Sequence, residues 1–74
     1  MQKELIEEHL AQAERHVCQG ARSVARQRET ITNLERDGHD TSAARHLLTQ
    51  FEELQAMHVA DRDRLLRELN EFRS

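Results

Sequence analysis

Proline, tryptophan and tyrosine are absent from this 74-residue chain, and cysteine occurs once, at Cys18. With no proline, nothing in the sequence forces a break in a helix. A lone cysteine excludes an internal disulfide framework, and an unpaired thiol suits a reducing compartment. Gly20 and Gly38 are the two glycines, so no glycine-rich phosphate loop is encoded. No apolar run approaches the ~18 residues a membrane span needs, and residues 1–8 lack the basic-then-apolar pattern of a secretion signal. The expected address is the cytoplasm. A chain of this length forms one domain at most. Its core rarely supplies more than ~3–5 kcal/mol without a disulfide, a metal or a partner subunit.

A basic excess is missing too. The formal charge is −3, from 11 basic and 14 acidic side chains, which argues against nucleic acid or an anionic membrane as partner. Arg22, Arg26 and Arg28, with Arg15 and Arg36, form a basic stretch in helix 1, but Glu29 and Glu35 interrupt it and no aromatic residue accompanies it. A solvated helix face accounts for it. Five histidines, if all protonated, would carry the charge from −3 to +2, so assembly could depend on pH near 6.

What is present is helical patterning. Helix 1 is expected over about residues 2–36. Leu10, Val17, Val24 and Ile31 recur every seven residues, and Ile6, Ala13, Gly20, Gln27 and Leu34 fill the second seam position. A heptad sustained this far describes a coiled-coil-like seam. Gly38, in the turn at 37–40, suits the left-handed residue that ends a helix. Asp40 or Thr41 then caps helix 2, expected over about 41–72, because either oxygen can accept a free amide of the first turn. Its apolar stripe contains Ala44, Leu47, Leu48, Phe51, Leu54, Leu65, Leu69 and Phe72.

So short a connection forces the helices antiparallel. The expected fold is an all-α, two-helix hairpin. Its core would comprise Ile6, Leu10, Ala13, Val17, Val24, Ile31, Leu34, Leu47, Phe51, Leu54, Leu65 and Phe72. In that pairing Ile31 meets Leu47, Val24 meets Leu54 and Ile6 meets Phe72. Two helices cannot enclose a core, and small residues at heptad spacing let a further helix approach closely. Ala11, Cys18, Ala21 and Ala25, with Leu48, Met57, Leu66 and Leu69, are therefore expected to form an interface between copies. The assembly would be a four-helix bundle, as a homodimer.

No chemistry-bearing motif stands out. A metal held by one helix needs ligands three or four residues apart, and no His–His or His–Cys pair has that spacing. The sequence therefore implies no cofactor, no metal site and no catalytic residue. A thin hairpin offers no pocket in which to desolvate a catalytic group. His58 falls on the apolar register near Gly20. The plain reading is a partly buried imidazole bonded to Asp61 or to a partner chain and filling the gap at Gly20. The sharper one is a pH-sensitive contact. Gln27 either fixes the register or sits at the bundle edge in water. Gly20, at a cost of about 1 kcal/mol against alanine, points to close packing.

The runs Ala13-Glu14-Arg15-His16-Val17, Arg26-Gln27-Arg28-Glu29 and Leu34-Glu35-Arg36-Asp37-Gly38-His39-Asp40-Thr41 stand together with Phe51-Glu52-Glu53-Leu54-Gln55. With His58, Arg62, Leu65 and Leu66, they resemble short bacterial proteins of uncharacterised function that are read as helical hairpins. That resemblance implies a bacterial, cytoplasmic, stand-alone protein and brings no activity with it. The functional expectation is a non-enzymatic module that binds itself. The alternatives are a small regulator docking its apolar stripe on a helical signalling protein, and a ligand- or metal-binding bundle.

Overall fold

The computed structural model describes residues 2–73. It contains α1 (Gln2–Arg36) and α2 (Ser42–Arg73), packed against each other as an antiparallel rod of 56 × 15 × 14 Å. Among the described residues there is no strand.

The turn follows from its residues. Gly38 has φ +76°, a conformation that a Cβ would oppose. Its N–H donates to the Glu35 carbonyl at 3.1 Å and the His39 N–H donates to the Leu34 carbonyl at 2.9 Å. These two bonds are the paired closures of a Schellman cap, and they use carbonyls the helix end would otherwise leave bare. The Thr41 carbonyl then accepts the Arg45 amide at 2.8 Å and opens α2. Asp40 does the side-chain capping: its Oδ1 accepts the Ser42 amide at 2.9 Å and the Ser42 hydroxyl at 2.8 Å. Those bonds, the amide first, hold the Asp40 carboxyl below its ordinary range. Helix 2 thus begins at Ser42 rather than 41. Glu35 and Arg45 join across the turn.

In α1 the inward residues keep the expected heptad, with Leu10, Ala13 and Ile31 buried and Ile6, Val17, Val24 and Leu34 half-buried. In α2 the seam is different. The residues turned toward α1 are Ala44, Leu48, Phe51, Gln55, His58, Arg62, Leu65 and Leu69, at alternating steps of four and three. Leu47 and Leu54 each precede a seam residue by one position, a rotation of about 100° on a helix. They stay 39% and 49% exposed instead of entering the core. Leu48 and Leu69, expected at a surface between copies, point into the hairpin.

The pairing moves with the seam. Gln55 packs on Gly20, and that antiparallel register sets Leu69 opposite Ile6, Phe51 opposite Val24 and Ala44 opposite Ile31. Phe72 then lies opposite Lys3, beyond the last apolar residue of the α1 seam, and remains 49% exposed. Apolarity alone misplaces the stripe because the middle of the true seam is polar. One tight cluster, Leu10, Ala13, Leu65 and Leu69 with Ile6, lies toward the open end. Ile31 is buried near the turn, and Gln55, His58 and Arg62 separate the two regions.

Candidate interaction surface

The polar middle is held by two glutamines, one from each helix. Gln27 Nε2 donates to the Ala44 carbonyl at 2.9 Å, and Gln55 Nε2 donates to the Val17 carbonyl at 2.8 Å. Each amide reaches the backbone of the other helix. Bonds of this kind exist only when that carbonyl is opposite, so they specify register more than they add stability. Gln27 is therefore a register residue. Gln55, outside the apolar stripe of helix 2, is its counterpart. The space at Gly20 is taken by the Gln55 amide, not by His58. The Gln55 Oε1 is buried without a hydrogen-bond partner.

On one side of the seam the helices leave an open depression of about 570 Å³, lined by Ala21, Val24, Ala25, Gln55, Ala56 and Val59, with Arg28 and Glu52 at its margin. Arg28 Nη2 and Glu52 Oε2 meet there at 3.0 Å, both well exposed, so the pair adds little stability. Ala11 and Cys18 precede Ala25 by two heptads and one heptad, and Leu66 follows Val59 by one. All three continue the same face. Cys18 is exposed rather than buried within a lone hairpin. Of the expected interface, Ala11, Cys18, Ala21, Ala25 and Leu66 thus fall together. Ala56 joins them, a residue the apolar stripe of helix 2 does not include. Met57 does not: it is 65% exposed and one helical position beyond Ala56, toward the Leu54 side.

The other side is more polar. His16 and His58, on different helices, bring their ring centroids to 5.1 Å with the planes tilted by 45°. A depression of about 200 Å³ beside them is lined by Gln19, Gly20, Ser23, Phe51 and Leu54. A second holds His9, Gln12, Asp61, Arg64 and Glu68 around His16. Asp61 is engaged by Arg64 at 3.8 Å, and Arg64 also meets Glu68 at 3.0 Å. No hydrogen bond joins His58 to Asp61 among the described residues. Sequence spacing within single helices could not find the histidine pair, because the partners are 42 positions apart.

No group of three or more His, Cys, Asp or Glu side chains that could hold a metal occurs among the described residues. No helix among them is long and apolar enough to cross a membrane. Comparison of the chain with protein-family models, with curated proteins and with solved structures finds no match.

Proposed function

We propose that this chain is a self-associating interaction module that works by contact rather than by catalysis. Two hairpins would pair through the Ala21–Val59 face into a four-helix bundle. The supporting observation is the depression between the helices. Its apolar floor runs across both of them at Ala21, Ala25, Ala56 and Val59, where small side chains permit another helix to come close. The hairpin alone has a reason to associate: among the described residues no side chain is fully buried, and a core so thin is marginal on its own.

The deciding measurement is the mass of tag-free protein by light scattering during size exclusion, across a dilution series at neutral pH. A dimer that persists on dilution, and that Ala21→Glu converts to monomer, supports the reading. A monomer at every concentration, or an Ala21→Glu protein of unchanged mass, sinks it. A second reading has its own observation. Leu47, Leu54 and Met57 stay in water on the opposite side, a stripe suited to docking on a helical surface of another protein. Such a regulator would be monomeric or weakly paired, and charge at Leu54 would abolish its partner binding.

A further inference from the structure

The pair of imidazoles at the middle of the rod is not explained by self-association. His58 occupies a seam position where the heptad calls for an apolar side chain, and it is half-buried. His16 comes to it from the other helix, with ring centroids at 5.1 Å. Among the described residues neither imidazole takes part in a hydrogen bond. His58 is half-buried and His16 exposed. With no described residue holding their ring nitrogens, both nitrogens of each ring stay open to a ligand.

The separation suits a shared ion. Zinc-to-imidazole bonds are about 2.0–2.1 Å. Adding the roughly 1.1 Å from nitrogen to ring centre, two imidazoles bound in cis at ~90–110° have centroids about 4.5–5.3 Å apart. The surroundings lean toward a cation. Asp61 and Glu68 line the adjoining depression with His16, and Arg64, the cation there, is already engaged by both of them. Arg62, one turn beyond His58, is turned to the Asp63 carboxylate at 3.1 Å.

We propose that His16 and His58 form a two-imidazole clamp for a late first-row divalent transition ion, linking α1 to α2 across the polar middle. Water completes the coordination, since among the described residues no third protein ligand joins the pair. The class follows from the donors: neutral imidazole favours zinc, copper and nickel over magnesium and calcium, which take oxygen ligands. Because the ligands sit on different helices, an ion held by both binds the folded hairpin and not the unfolded chain. Binding should therefore raise stability.

The test is titration of the tag-free chain with Ni²⁺ or Zn²⁺ at pH 7.5, by calorimetry, with thermal melts in parallel. The expected result is one ion per chain and a raised melting temperature, with Mg²⁺ inert at the same concentration. Either His16→Gln or His58→Gln should weaken binding by about tenfold or more, by loss of one of two ligands, and remove the thermal shift. His39→Gln and His46→Gln, remote from the pair, serve as controls that retain both effects. Helicity by circular dichroism shows that each variant is folded. The clamp is overturned by no binding at millimolar ion, by His16→Gln binding as tightly as the parent, or by one ion per two chains, which would put the ligands on separate copies. The first two outcomes do not depend on the oligomeric mass, so failure here and failure of the self-association reading are distinguishable.

Discussion

The side-chain amide of Gln55 lies against Gly20, and its Nε2 donates to the Val17 carbonyl at 2.8 Å. A Cβ at residue 20 would run into that amide. The glycine is thus the vacancy that lets a polar side chain cross the seam and reach the other backbone. Two terms of similar size oppose each other in Gly20→Ala. The helix gains about 1 kcal/mol in propensity, and displacing the flexible Gln55 end forfeits a crossing bond worth roughly 0.5–1.5 kcal/mol. Gly20→Ala should therefore be close to neutral. In a Gln55→Ala background the clash is gone, and the same change should stabilise by about 1 kcal/mol. Urea unfolding of the four proteins at one concentration reads the coupling. Equal effects of Gly20→Ala in both backgrounds would show that the two residues are not linked.

The two sides of the hairpin predict opposite responses to charge. Ala56→Glu, on the small-residue face, should lower the associated fraction as Ala21→Glu does. Met57→Glu, one residue on but facing the other way, should leave the mass unchanged. Cys18 supplies an independent readout, because it is exposed on a single hairpin and continues the small-residue face. Its alkylation by a maleimide should slow as protein concentration rises, and Ala56→Glu should abolish that dependence. If Met57→Glu dissociates the assembly and Ala56→Glu does not, the partner sits on the other side.

The hairpin was legible because its signals are local. The heptad of α1 survives in the structure with the same nine residues, and Gly38 marks the cap by its φ. The seam of α2 was legible only in part: Ala44, Leu48, Phe51, Leu65 and Leu69 stand in the expected stripe and His58 on its register, but Gln55 and Arg62 do not. Period-counting follows apolarity, but the inward positions 55, 58 and 62 are Gln, His and Arg. Leu47 and Leu54, one position to the side, carry the stronger apolar signal and draw the stripe away from the true seam. Gln55 has meaning only beside Gly20, and His16 only beside His58. Both pairs are products of the antiparallel register, which no spacing within one helix encodes.

At Gly38 the cost of a side chain is conformational rather than steric. Nothing lies within 4 Å of where its Cβ would sit, but φ is +76°, a region that costs an L-residue roughly 1–2 kcal/mol. Gly38→Ala should destabilise by about that amount. Gly38→Asn should cost less, because asparagine visits this conformation more readily. The unfolding midpoints should rank parent, asparagine, alanine. Alanine above asparagine would indicate that the turn relaxes out of the left-handed conformation.

Asp40 gives the turn a pH dependence whose sign can be worked out. In the folded chain the Ser42 amide, and then its hydroxyl, favour the carboxylate and depress the Asp40 pKa, whereas the unfolded chain titrates near the ordinary value of about 3.9. A group depressed on folding binds fewer protons in the native state, so its stabilising effect is complete above the unfolded value. It is lost as pH falls through the folded one. Asp40→Ala should therefore lower the melting temperature at pH 7, and the gap should close as the pH is taken below about 3.9. Asp40→Asn keeps an oxygen for the Ser42 amide but not the charge. Its melting temperature should fall between the other two at pH 7, with no closing gap against Asp40→Ala. The same difference between parent and Asp40→Ala at pH 7 and at pH 2.5 would mean that the Ser42 amide does not depend on the carboxylate, and that the Thr41 carbonyl alone starts α2.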